Sequence, residues 1–365
     1  MSTFTLSKPR GFALEAAALF YAGFVPGSGM AAASADRLTL AFRLDATFEA
    51  VAVALREEGD AIVVEHTGTT DIATLRKQVA RMLGLDADGD AWLAIGARDP
   101  VVGRLQAEFP GFFTAAKPSP YDAATWGVIA PRTSIAHAAK LKMAIAETHG
   151  DAVTLHGRVH HVFPSPTKLA DLRTFPGLSD VKLERLRGIA RAASSGRLDA
   201  DRLCAMSTED ALDELQSLDG VGPWTASHIL FRGAAPPDGL PTAEPRVLHG
   251  LADAYGIDVP TVAAFERIAE GWRPFRMWVC ILLSRHLARG GKWQSPGLAR
   301  ERATADRMLA RRRASWDCRY GERRLQPRSS KRHTSRDHIT LPARSTLAPS
   351  ARHGSRTPRN PASHA

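Results

Sequence analysis

Apolar residues change their period along this chain. Residues 38–44 (LTLAFRL) and 61–66 (AIVVEH) alternate or run apolar in short β-rich bursts, the length of strands. From residue 72 the spacing lengthens. Ile72, Leu75, Val79, Met82 and Leu83 recur three and four residues apart, which predicts a helix over 72–84. From Asp99 onward the helical period returns in segment after segment: 99–108, 120–130, 134–149, 166–172, 180–195, 207–217, 223–232, 245–256, 262–271 and 273–289. Breaks fall at Phe109-Pro110-Gly111 and Phe175-Pro176-Gly177, where Gly and Pro stop a helix. The pattern predicts an α+β protein. An N-terminal segment (1–35) precedes a small α+β domain (36–112), and an all-helical domain (113–295) follows with its cleft between helices. Residues 296–365 lose the apolar period, fill with Arg, Ser, Pro, Thr and His, and read as a basic, disordered tail.

Charge sharpens this division. The chain has 365 residues, 44% of them apolar, enough for two domains with real cores. Its net charge of +10 is carried by the tail: residues 296–365 hold 17 Lys/Arg against 5 Asp/Glu, and 1–295 hold 31 against 33. Any nucleic-acid contact in the folded part must then rest on local geometry rather than bulk charge. The tail either adds non-specific DNA affinity or is a dispensable extension. Cys204, Cys280 and Cys318 lie far apart with no CxxC, and His160-His161 has no ligand spacing, so no catalytic metal is expected. No run of 18 apolar residues exists to span a membrane. The stretch GFALEAAALFYAGF (11–24) after Lys8 and Arg10 mimics a leader, but Glu15, Gly23 and Pro26 interrupt it. A cytoplasmic protein is expected. A nucleotide cofactor is not, because no glycine-rich strand–turn–helix fingerprint is present.

The stretch with most chemical content is LDELQSLDGVGPWTASHIL (212–230). One amphipathic helix, with Leu212, Leu215 and Leu218, runs into Gly220-Val221-Gly222-Pro223, and a second follows through Ala226, Ile229 and Leu230. Glycines two apart permit a sharp turn and a close backbone approach. The N–H groups at the start of the second helix can bind phosphate without side-chain charge. An ordinary helix–helix turn is the plainer alternative. The length of the match favours a DNA-backbone hairpin made of Gly220, Val221, Gly222, Trp224, Thr225 and Ala226.

This segment resembles the hairpin of the helix-hairpin-helix DNA glycosylase superfamily. Within it the chain resembles the bacterial 3-methyladenine DNA glycosylase II family over about residues 36–290. Matching stretches include LGLDADGDAWLAIGARDPVVGRLQAEFPGF (84–112), WGVIAPRTSIAHAAKLKMAIAETHG (126–150), FPSPTKLADL (163–172), VKLERLRGIARAASSGRLD (181–199), LPTAEPRV (240–247) and WRPFRMW (272–278). The resemblance implies an antiparallel sheet beside the helical domain. It also implies a monomer that removes damaged bases from double-stranded DNA without a cofactor. The four-cysteine iron–sulfur loop of some relatives is absent. The family's catalytic carboxylate, an Asp about three residues past a Pro, falls at Glu244 after Pro241, longer by one methylene. Pro245 places Glu244 at a helix start, where the helix dipole favours an ionised carboxylate; a plain helix cap or a salt bridge to Arg246 is the alternative. Asp238, beside Pro236-Pro237, reads as a turn residue. Lyase-type relatives carry a lysine where this chain has Trp224, which implies base release without strand cleavage. Trp224, His228, Trp272, Phe275 and Trp278 are candidate surfaces for a flipped base, although aromatics at helical spacing usually fill cores. The place of the family's wedge side chain falls at Arg132, in APRTS (130–134) where the family usually has Gly-Gln-x-x-Ser. A DNA-binding protein on the same scaffold, without catalysis, is the alternative function.

Overall fold

The computed structural model describes residues 2–23, 31–34, 37–69 and 71–289. The expectation of a basic disordered tail over 296–365 lies outside the described residues. Five strands form an antiparallel sheet in the order β1-β5-β4-β3-β2: β1 (Ser2–Ser7), β2 (Ala31–Ser34), β3 (Arg37–Arg43), β4 (Ala50–Glu58) and β5 (Ala61–His66). On one face Leu38, Leu40 and Phe42 stand opposite Leu55, Val53 and Val51, and with Ile62 and Val64 they enter the main core. The helix α1 (Leu14–Gly23) packs beneath β2 and β3, burying Leu14, Ala17, Ala18 and Tyr21. The apolar run that mimics a leader is thus a core helix, with the Tyr21 hydroxyl donating to Ala116 O at 2.6 Å. The segment 1–35 supplies both edge strands of the sheet, so a boundary at residue 36 cuts through one folded unit.

Three helices follow: α2 (Ile72–Leu83), α3 (Gly89–Arg98) and α4 (Pro100–Glu108), begun by the side-chain caps of Asp71, Asp88 and Asp99. The central helix is α5 (Pro120–Ile129), of which all but Asp122 is buried. After it come α6 (Ile135–His149), the hairpin β6 (Asp151–Leu155) and β7 (Arg158–Val162), α7 (Pro166–Asp171), α8 (Asp180–Ser194), α9 (Ala200–Ala205), α10 (Thr208–Gln216) and α11 (Pro223–His228). A π-helical turn over Ile229–Ala234 leads to α12 (Pro245–Tyr255), α13 (Val262–Ala269) and α14 (Arg276–Ala288). Most of these helices start at a Ser, Asp or Thr cap, several followed by Pro at the first helical position.

Two features depart from an all-helical 113–295. The β6–β7 hairpin lies on the second face of the sheet, where Leu155 and Val162 cover Ala41, Ala52 and Ala54. Buried on both faces, β4 shows a continuous apolar run instead of alternation, so period alone does not reveal it. Further, the helices before residue 112 share a core with the C-terminal ones. Trp92 and Phe113 pack edge-on or tilted against Trp278, whose ring fills the space a Cβ would need at Gly84.

Candidate active site

The hairpin motif forms as α10, a turn, and α11. Gly220 sits at φ +76°, and a Cβ there would lie 2.3 Å from Arg185 Cδ, so glycine is required twice over. Gly222 has an ordinary extended backbone and nothing within 4 Å of where its Cβ would be. The turn is therefore open at Gly222. No side chain caps α11, and Pro223 at its first position has no N–H to satisfy. The amides of Trp224 and Thr225 lie in the first turn, where helix geometry gives no internal acceptor. Val221 and Ala226 are turned inward instead: their amides donate to Leu218 O and Gly222 O, and their side chains are buried. The Thr225 side chain is buried against Gly127 of α5, where a Cβ would lie 2.5 Å from its methyl.

Glu244 caps α12, and both carboxylate oxygens are engaged. Oε1 accepts from the Arg246 amide at 3.2 Å, and Oε2 accepts from the Trp224 indole Nε1–H at 2.9 Å. The loop before it is fastened from two sides. Asp238 accepts from Arg276 Nε at 2.8 Å and from Arg273 Nη1 at 2.5 Å, while Gly239 is pressed on the Phe231 ring, 2.2 Å from where its Cβ would be. Asp238 is thereby committed to ion pairing.

The indole of Trp224 stacks on the His228 imidazole, with centroids 5.1 Å apart and planes at 11°. Trp224 is 36% exposed, whereas His228 is half-buried and its Nε2, shielded from solvent, finds no hydrogen-bond partner. Burial, reinforced by the positive charges of Lys117 and Arg232, holds the His228 pKa well below the ordinary value and keeps the ring neutral. Beneath it lies a buried charged group. Asp122 Oδ2 meets Lys142 Nζ at 2.5 Å, and Oδ1 meets Lys117 Nζ at 3.3 Å. One carboxylate cannot neutralise two ammonium groups equally. The nearer Lys142 holds Asp122 ionised, with its pKa lowered to about 2 against the cost of burial. The farther and more deeply buried Lys117 loses by desolvation, and its pKa falls to about 7. Arg232, half-buried, falls to about 10 by desolvation and donates to Ala115 O at 2.7 Å. His249, on α12, is lowered by burial against the opposing effect of Glu244. None of Lys117, Asp122, Lys142 and Arg232 is visible in sequence period, because they come together only in three dimensions.

The structure therefore brings Glu244, Trp224 and His228 together and places the other aromatic candidates elsewhere. Trp272 is wholly buried, its Nε1–H donating to Asp99 Oδ2 and the Tyr255 hydroxyl at 3.1 Å each. Phe275 and Trp278 pack on each other at 4.7 Å and on Trp92, inside the core. Aromatics at helical spacing serve the core here. Arg132 is exposed, in the loop between α5 and α6, at φ +59°. Among the described residues there is no group of three or more His, Cys, Asp or Glu able to hold a metal, and no helix is long and apolar enough to cross a membrane.

No family model matches the chain. It is 28% identical over 217 residues to the DNA-3-methyladenine glycosylase of Bacillus subtilis, across 58% of this chain and 71% of that protein. It is 28% identical over 188 residues to DNA-3-methyladenine glycosylase 2 of Escherichia coli, across 49% of this chain and 62% of that protein's length. Its fold matches the solved 3-methyladenine DNA-glycosylase from Archaeoglobus fulgidus with a TM-score of 0.67 at 20% identity, covering 80% of this chain and 100% of that one. The fold is that of this solved DNA glycosylase. In sequence the chain resembles the bacterial 3-methyladenine DNA glycosylases.

Proposed function

We propose that the protein is a monofunctional DNA N-glycosylase, a monomer that removes alkylated purines of the 3-methyladenine type from double-stranded DNA and leaves an abasic site. One observation carries the reading. Glu244 is fixed at a helix start within 2.9 Å of an indole that stacks on a neutral imidazole, beside a hairpin with an uncapped helix N-terminus. The names of the relatives agree with it.

The hairpin turn receives a phosphate on the amides of Trp224 and Thr225, and the open space at Gly222 admits the strand. The damaged base leaves the duplex and lies against the Trp224–His228 stack. An electron-rich indole suits a cationic alkyl-purine, and a neutral His228 does not oppose it. As the glycosidic bond breaks, its electron pair leaves with the base and positive charge grows on the sugar. Glu244 stabilises that charge and orients the water that attacks C1′. At about 4 Å and an effective dielectric near 20 the attraction is about 4 kcal/mol, roughly a thousandfold in rate. An alkylated purine is already cationic and departs neutral, so no dedicated general acid is needed. Trp224 offers no amine for a Schiff base, so the strand is left uncut.

The test is release of 3-methyladenine and 7-methylguanine from methylated duplex DNA by the wild type and by Glu244→Gln. Release should fall about a thousandfold in the variant, with strand breaks only after alkali. Undiminished release in the variant removes Glu244 from the chemistry. No release by a wild type that still binds DNA would remove these two bases as substrates and leave either another lesion or the non-catalytic reading.

A further inference from the structure

One face of α8 touches both the hairpin turn and the loop that carries Arg132. The Lys182 ammonium donates to Ile129 O at 2.6 Å, Pro131 O at 3.0 Å and Thr133 Oγ1 at 3.3 Å. An ammonium has three protons, and all three are used by this one loop. Between the acceptors lies Arg132, whose left-handed backbone at φ +59° is unfavourable for a residue with a Cβ and persists only where its surroundings impose it. One turn further along α8, Arg185 lies across Gly220 of the hairpin, and its Nε is 3.8 Å from Asp219. Residues three apart share a helix face, about 4.5 Å apart along the axis. The same face thus contacts both the 130–133 loop and the hairpin turn.

We propose that Lys182 is a positioning residue: it clamps the loop so that Arg132 is held outward, ready to occupy the gap left by a displaced base. What Arg132 does rests on the glycosylase reading; how it is held does not. Lys182 is not itself a phosphate ligand in this arrangement, because its protons are committed to the loop. Partial burial, with Arg132 nearby, lowers its pKa.

The experiment measures affinity by fluorescence anisotropy, across a salt series, for a duplex with a tetrahydrofuran abasic analogue and for the intact duplex. Lys182→Met should bind the abasic duplex about tenfold more weakly, from lost hydrogen bonds to a charged group. On the intact duplex it should stay within about twofold, with the salt slope unchanged. Arg132→Ala should show the same loss, and the double variant no further loss, since the two act as one unit. Lys182→Arg, which keeps several donors, should recover part of it. Equal weakening on both DNAs with a slope shallower by about one ion would instead make Lys182 a phosphate contact. Additive losses in the double variant, or a general loss with a lowered melting temperature, would also overturn the proposal. A wild type that releases no base but still prefers the abasic duplex would overturn the glycosylase reading alone. A wild type without that preference would overturn the positioning proposal as well.

Discussion

Glu244 shows how one residue is made specific by what holds it. Its side chain is a methylene longer than the aspartate of the family it resembles, so its reach must be directed. The Arg246 amide takes one oxygen and the Trp224 indole the other, leaving little freedom in the terminal torsion. Trp224→Phe keeps an aromatic face on His228 but removes the N–H. A hydrogen bond to a charged group contributes about 1.5–3 kcal/mol, so single-turnover excision should fall about tenfold to a hundredfold, with DNA affinity within about twofold of the wild type. Trp224→Ala should fall further, because the stacking surface goes too. Excision by Trp224→Phe at the wild-type rate would show that the indole does not position the carboxylate. This pair was partly legible in the sequence. Glu244 followed from the family resemblance past Pro241, its helix start from Pro245, and Trp224 from the hairpin motif, but their hydrogen bond spans 20 residues and no local pattern records it.

At the scale of the element, the two hairpin glycines do different work. Gly220 needs its positive φ and has Arg185 where a Cβ would stand; Gly222 needs neither and faces open space. Gly220→Ala should therefore lower the melting temperature by several degrees, from about 1–2 kcal/mol of left-handed strain plus the clash. Gly222→Ala should melt within about 2 °C of the wild type, yet bind duplex DNA about tenfold more weakly, because its methyl stands where the strand approaches. A Gly222→Ala protein with unchanged DNA affinity would count against the hairpin as the contact. GVGPW identifies the turn in the sequence but does not tell the two glycines apart. The same limit applies to the aromatics: Trp272, Phe275 and Trp278 recur three apart and Trp224 and His228 four apart, both helical spacings. Only burial against Trp92, Phe113 and Asp99 separates core from site. Helix starts were legible because caps and prolines act locally. Strand β4 was not, because the hairpin that covers its second face comes a hundred residues later.

Among the described residues, sheet and helices share one core, and the charged group beneath His228 is drawn from positions 117, 122, 142 and 232. Lys117 makes this group sensitive to pH. In the unfolded chain its ammonium keeps a proton until about pH 10.4, whereas in the fold it releases it at about 7. Between these values the unfolded state binds more protons, so stability rises as pH increases through the window and is lowest, on this account, below 7. Asp122 acts at the other end: its pKa is depressed to about 2, so its contribution is present above the usual carboxylate range and is lost only in strong acid. Lys117→Met separates the two. It removes a buried cation and leaves Asp122 paired with Lys142 at 2.5 Å. Its melting temperature should exceed the wild type's at pH 6. The advantage should shrink by about 4 °C as pH rises toward 9, the wild-type curve being the steeper. Calorimetric curves that run parallel across that range would mean that Lys117 keeps its proton in the fold, and that Asp122 neutralises both lysines.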